Sequence, residues 1–313
     1  SIDFKAPGLL NAAVKDCPIW GGSLKSFDAK AAEKMPGVKK VLKIENTVVV
    51  VADTWWRAKT ALDSVKIEYD GGKFAALDSK GIDDMLNEGL GATEAFVGNK
   101  GGDVEAAIAG AAKKVEATYS VPYQSHAPME PMNATARWTA DKCEVWTSTQ
   151  NAEAALATTS QAAGLPLDKC DVYRMDLGGG FGRRATSQDY VRQAALIAKE
   201  FPGVPVKLLW SREEDIAHDF YRPLSQCKMS AGLDAQGKLV GLQLRSSGQS
   251  INAWVNPQGI RDGKDERQLQ GLYVQPGDAQ MGYTIPHLLT EYAIRNTHVP
   301  VGTWRGVNTN QNA

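Results

Sequence analysis

The stretch from Val172 to Phe201 constrains this chain more than any other. An apolar strand, Val172 to Leu177, leads into Gly178-Gly179-Gly180-Phe181-Gly182-Arg183-Arg184, and a helix is expected from about Gln188 to Phe201. On that helix Val191, Ala194, Ala195, Ala198 and Phe201 share one face. Strand, glycine-rich turn and helix in this order aim backbone N–H groups and a helix N-terminus at an anion. The loop is not a dinucleotide-binding fingerprint, because GxGxxG counted from Gly178 needs glycine where Arg183 stands. Nor does the chain contain GxxxxGK[ST]. Four glycines in five residues therefore point to close backbone approach to a bound group, with Arg183 and Arg184 available for a phosphate. The competing reading is a tight turn without ligand, which seldom needs so many glycines.

Around this loop the pattern predicts an α+β fold. Strands are expected at Leu9 to Val14, Val38 to Ile44, Thr47 to Ala52 and Val65 to Tyr69, with a short helix from Ala29 to Met35 capped by Asp28 and a longer one from Thr54 to about Asp63 capped by Asp53. Residues 73 to about 112 read as a connector with glycine interruptions, a weak helix near Asp83 to Glu88 and a better one from Val104, capped by Asp103. Further strands follow at Lys114 to Val121, Ala134 to Trp138, Cys143 to Ser148, Pro205 to Trp210, Ser225 to Ala231 and Gly237 to about Ser247. A helix from Ala152 to Ala163 is closed by Gly164. The remainder to 313 reads as loop-rich. The expected division is 1–72, a connector at 73–114, and 115–313.

Three further segments carry polar groups that could do chemistry. His126 and Glu130 stand four apart, but Pro128 and Pro131 deny them helical register, so a metal pair is not expected. A buried Glu130 would need partners. In Ser148-Thr149-Gln150-Asn151, Thr149 or Asn151 can cap the following helix, which leaves Gln150 unassigned. Arg305 stands in Trp304-Arg305-Gly306 near the chain end. Lys plus Arg is 35 against 36 for Asp plus Glu, a balance unlike that of a nucleic-acid or polybasic membrane-surface binder. No run of about 18 apolar residues exists, so no membrane-spanning helix is expected. Cys17, Cys143, Cys170 and Cys227 show no CxxC spacing, which argues against an iron–sulfur or structural zinc site in this chain. The start at Ser1 and the stop at Ala313 suggest a piece of a longer polypeptide or one subunit of a split one.

Taken together, the motifs resemble those of the molybdenum-containing hydroxylases: the large subunits of xanthine dehydrogenase, aldehyde oxidase and, nearest, isoquinoline 1-oxidoreductase. The resemblance rests on Ser125-His-Ala-Pro-Met-Glu-Pro-Met132, Thr147-Ser-Thr-Gln150, Gly178 to Arg184, Pro205-Val-Lys with Trp210-Ser-Arg-Glu-Glu-Asp215, and Gly302-Thr-Trp-Arg305. It implies an a/b hammerhead domain over 1–72 and the first part of a molybdopterin-binding domain over 115–313. It implies a molybdopterin dinucleotide, in bacteria typically the cytosine form, that hydroxylates an aldehyde or N-heterocyclic carbon with water as oxygen source. Gln150 matches a glutamine beside the metal centre. Gly179, Gly180, Phe181, Gly182 and Arg183 match the cofactor-binding loop, and Arg305 matches, more loosely, a substrate-region arginine. Ala185 stands where purine-oxidising members carry glutamate, which argues against a purine. The resemblance places the catalytic base outside this chain, so the piece alone is expected to be inactive and to fold without cofactor. It implies as partners the C-terminal remainder of the subunit, a [2Fe–2S] subunit and a cytochrome c acceptor, and it suggests a periplasmic location. The rival reading is a stand-alone α/β ligand-binding or structural module without catalysis.

Overall fold

In the computed structural model of the protein, residues 2–269, 272 and 283–307 are described. Among them the strands in chain order are β1 (Leu10–Lys15), β2 (Ser23–Asp28), β3 (Val38–Ile44), β4 (Thr47–Ala52), β5 (Lys66–Asp70), β6 (Phe96–Gly101), β7 (Lys113–Val121), β8 (Asn133–Trp138), β9 (Cys143–Thr147), β10 (Cys170–Arg174), β11 (Val206–Leu209), β12 (Ser225–Leu233), β13 (Leu239–Gly248) and β14 (His287–Ile294). The helices are α1 (Trp55–Ser64), α2 (Ser79–Gly91), α3 (Val104–Ala109), α4 (Ala152–Ala163), α5 (Asp189–Lys199), α6 (Arg212–Ala217) and α7 (Asn252–Val255). The expected α+β class is present.

The chain divides into two units, one of residues 1–76 with 125–220, the other of 77–124 with 221–313. This departs from the expected division at 72 and 114, and the pairing gives the reason. In the first unit a seven-stranded sheet runs β10-β9-β8-β11-β1-β4-β3. β1 lies parallel to β11, with Leu10 opposite Val206, so β1, β3 and β4 share a sheet with the glycine-loop region, and only β2 and β5 form a separate two-stranded sheet within residues 1–72. The apolar run of β4 is buried at every position because both faces of the sheet are covered. Val49 and Val51 join the core beneath α5, while Val48, Val50 and Ala52 join a second core beneath α1.

In the second unit the supposed connector is structure. α2, β6 and α3 belong to a five-stranded sheet of order β6-β14-β13-β12-β7 and its covering helices. Of the glycines read as interruptions, Gly89 is a close-packing point. A Cβ on Gly89 of α2 would lie 2.2 Å from Ser247 Oγ, so only glycine lets the helix approach β13 so closely. The expected loop-rich tail also contains β14, which pairs on both sides, with β13 and β6. The rest of that expectation lies partly at 270–271, 273–282 and 308–313, outside the described residues. The helix expected over Ala29 to Met35 is a single 3-10 turn, Ala32–Lys34, preceded by the unexpected strand β2. A segment that short, stopped by Pro36, cannot repay helix nucleation. α4 follows expectation, with Asn151 as N-cap and Gly164 closing it at φ +69°.

Within the first unit His218, after α6, sits on the end of β1. Its Nε2 is 2.9 Å from the Cys17 carbonyl and its Nδ1 is 3.1 Å from Glu214 Oε1, which also accepts the Asp16 N–H at 2.7 Å. The carbonyl beside Nε2 and the carboxylate beside Nδ1 both favour the protonated ring. Burial alone would lower its pKa; the Glu214 carboxylate and the Cys17 carbonyl outweigh that and lift it to about 9. A pKa raised on folding adds stability that is complete below about 6.5 and is lost as pH rises through about 9. Urea unfolding at pH 6.5 and 9.5 should therefore show a loss on the order of 2–3 kcal/mol. His218→Gln should remove most of that difference, and an equal pH dependence in the variant would count against this account.

Candidate functional site

β10 ends at Arg174, and Met175 continues beside β9 by donating its N–H to Thr147 O at 2.9 Å. The chain then turns through the glycine loop. Gly179 and Gly182 have φ of +99° and +114°, which side-chain-bearing residues rarely adopt, and Phe181 between them is held at +53° with half its surface exposed. A strained non-glycine residue in a loop persists only where its surroundings fix it.

Those surroundings are the 125–133 segment and the loop's own two arginines. Glu130 Oε2 accepts the Gly178 N–H at 3.1 Å, while the Glu130 N–H donates to Gly178 O at 3.0 Å. A Cβ on Gly178 would lie 2.4 Å from the Glu130 Cβ, so the two backbones meet only because glycine stands there. Arg184 is fully buried. Its Nε donates to Gly179 O at 3.0 Å, Nη1 to Ser148 O at 3.2 Å, and Nη2 to Glu130 O at 2.9 Å and Pro131 O at 3.2 Å, with Glu130 Oε2 at 3.3 Å. One guanidinium thus ties the loop, the end of β9 and the 130–131 turn together. Burial would raise the Glu130 carboxyl, but hydrogen bonds and Arg184 outweigh it and hold it below its ordinary value.

Arg183 corrects an expectation. Its guanidinium is buried and makes a two-pronged pair with Asp189 at 2.9 and 2.8 Å, and Nε lies 2.9 Å from Asp219 Oδ1. Neither Arg183 nor Arg184 is available to a phosphate, because each spends its donors inside the protein. Asp219 also accepts the Ser125 hydroxyl at 2.8 Å and stands 3.0 Å from His126 Nδ1, so His126 and Glu130 serve separate partners. Burial would raise the Asp219 carboxyl; His126 and Arg183 bring it below its ordinary value.

Gln150 is brought to the loop. Its N–H donates to Arg184 O at 3.0 Å, and its side-chain Oε1 accepts the Gly182 N–H at 3.1 Å. Because Gly182 offers a donor, the oxygen of the amide must face it, which leaves the Nε2 donors pointing elsewhere. Capping falls to Asn151, whose Oδ1 accepts the Ala154 N–H at 3.0 Å, and Gln150 is exposed. Among the described residues the N–H groups of Gly179, Gly180 and Phe181 have no hydrogen-bond partner, although Gly180 is buried. A Cβ on Gly180 would lie 2.5 Å from Gln150 Oε1. Unspent donors around a cradle that tolerates no side chain fit an oxygen-rich group laid against the backbone. Gln150, Gly179, Gly180, Phe181 and Gly182 are together in the first unit. Arg305 is exposed on a turn of the second unit.

Arg184 and Glu130 as organisers of the loop were not legible as such. Arg184 carries the same charge as Arg183, and only burial separates their partners. The signal available was Glu130 between two prolines, a carboxylate in a segment too irregular to be exposed by default.

Residues 90–250, which include Gln150 and the loop, match the Molybdopterin cofactor-binding domain. The membrane-bound aldehyde dehydrogenase [pyrroloquinoline-quinone] of Gluconacetobacter polyoxogenes is 29% identical over 258 residues, 79% of this chain and 33% of the relative. The isoquinoline 1-oxidoreductase subunit beta of Brevundimonas diminuta is 28% identical over 273 residues, 82% of this chain and 34% of that protein. The chain thus spans about a third of the length of these relatives. In structure it is similar to quinoline 2-oxidoreductase from Pseudomonas putida 86, with a TM-score of 0.71 and 20% identity over 98% of this chain and 43% of the other, which establishes a shared fold.

Proposed function

Starting from the premise that this chain belongs to the molybdopterin cofactor-binding domain family, we propose that it is part of the catalytic subunit of a molybdenum-dependent oxidoreductase that hydroxylates an aldehyde or N-heterocyclic carbon. When bound, a molybdenum–pterin group supplies redox chemistry that introduces an oxygen from water. The chain's own residues position and polarise. Gln150, braced through Oε1 by the Gly182 N–H, presents its amide N–H groups as a preorganised donor. Gly179, Gly180 and Phe181 present backbone N–H groups, and the exposed Phe181 ring forms an apolar wall beside them. Arg184 and Glu130 hold this arrangement in place before any ligand arrives. Arg305 is proposed to face substrate, and the dinucleotide to be the cytosine form. The partners proposed are the rest of the subunit, a [2Fe–2S] subunit and a cytochrome c acceptor, and the catalytic base lies in the rest of the subunit.

The observation that carries this reading is the brace between Gln150 and Gly182 inside the matched segment. It favours an enzyme over a structural module, because a tight turn has no use for an exposed amide fixed with its donors outward. The test is analysis of the purified full-length protein. One molybdenum per subunit and CMP released on acid hydrolysis are expected. A molybdenum-free preparation that oxidises aldehydes and carries pyrroloquinoline quinone would overturn the proposal.

A further inference from the structure

The second unit contains a cavity of about 240 Å³ that the proposed oxidoreductase role does not use. It lies between α2 and the neighbouring ends of β7 and β12. Ile82 and Leu86 of α2, Val121 and Pro122 at the end of β7, and Leu224 before β12 make its walls apolar. The polar groups among them are arranged to accept. Asp83 lines the cavity from α2 and is exposed. Gln226 Nε2 donates to Asp83 Oδ1 at 2.5 Å, which fixes the amide, since a flipped amide would set its oxygen against the carboxylate. Gln226 Oε1 is thereby turned away from its one donor-hungry neighbour. Among the described residues Gln226 Oε1 is buried without a hydrogen-bond partner, on a residue only 2% exposed. Buried acceptors left unpaired are rare in folded proteins and call for a donor. Asp83 Oδ2 accepts from Asn87 Nδ2 at 3.1 Å, and Lys80, one turn away on α2, makes its ion pair with Asp84 at 2.6 Å.

We propose that this cavity binds a small organic ammonium: an apolar body of about one ring, carrying a protonated amine that donates to the Asp83 carboxylate and to Gln226 Oε1. The size agrees. A cavity of about 150 Å³ accommodates benzene, so the larger volume here leaves room for a ring and a two-carbon arm. The charge agrees as well, because a carboxylate beside an apolar wall favours a cation whose hydrocarbon part is desolvated with it. The inference rests on the second unit alone and stands independently of the molybdenum reading.

Calorimetric titration of the full-length protein with 2-phenylethylammonium tests it. One saturable site with a Kd of about a millimolar or tighter is expected for a ligand of this size. The N,N,N-trimethyl analogue keeps the charge and loses every N–H, and should bind about tenfold more weakly or worse. Asp83→Asn should weaken the parent amine about tenfold. Ser120→Trp, placed at an exposed position of the cavity rim where folding is not at stake, should abolish binding. No saturation below about 10 mM, equal affinity for the trimethyl analogue, or binding unchanged in both variants would overturn the proposal.

Discussion

Replacing Arg184 by methionine is expected to lower the free energy of unfolding by about 3–5 kcal/mol. Methionine fills a similar volume, so the loss is electrostatic and not a cavity. In the wild type a single guanidinium donates to the carbonyls of Gly179, Ser148, Glu130 and Pro131 and faces the Glu130 carboxylate. Removing it strands buried carbonyl acceptors and takes from the Glu130 carboxylate the guanidinium that faces it, and a buried polar group without a partner loses its full hydration energy. Urea unfolding measures the effect. Glu130→Gln in the Arg184→Met background should restore part of it, because the carboxylate charge that had faced the guanidinium is then gone. A loss below about 1 kcal/mol would mean that water replaces the guanidinium, and that the loop is not held as described. Local proteolysis inside 178–184 in the variant, with the rest intact, would show the loop released ahead of the fold.

The sequence was most legible where one physical pattern dominated. The continuous apolar run at Val48 to Ala52 could only be a strand covered on both faces, and Asn151 and Gly164 bracket α4 by capping chemistry that owes nothing to tertiary context. It was least legible where long-range packing decided. Gly89 and its neighbours read as interruptions because glycine breaks helices locally; in the fold Gly89 admits α2 against β13. The polar strand β2 and the late strand β14 carry weak alternation, and the sheets recruit them through partners distant in sequence. The same limit explains the domains. No local signal says that β1 will lie beside β11, almost 200 residues away. At the site, the glycines and Gln150 were visible because their residue types are unusual for their places. The fate of Arg183 was not visible, since an arginine beside a glycine loop looks identical whether it faces a phosphate or, as here, Asp189 and Asp219.

Gln150→Ala should lower kcat of the full-length enzyme by roughly 10²–10³ while leaving molybdenum content nearly unchanged, the loss seen when one preorganised donor is removed from a polarised centre. The side chain contributes little to stability: it is exposed, it is not the cap of α4, and among the described residues its one hydrogen bond is from Gly182. Gln150→Glu separates bracing from donation. A glutamate can still accept the Gly182 N–H, so the loop keeps its shape, but it places an acceptor where the amide had a donor. If donation is what matters, the glutamate variant should be as slow as the alanine variant, or slower, at pH 7. If bracing is what matters, it should recover most of the activity. Gly180→Ala approaches the same question from the backbone: its Cβ would fall 2.5 Å from Gln150 Oε1 and must displace the amide or the loop. That variant should lose both turnover and bound molybdenum if, as proposed, the surface it disturbs is the one offered to the cofactor. Wild-type turnover in Gln150→Ala would show that the amide merely closes the loop, and would remove the residue from the catalytic machinery.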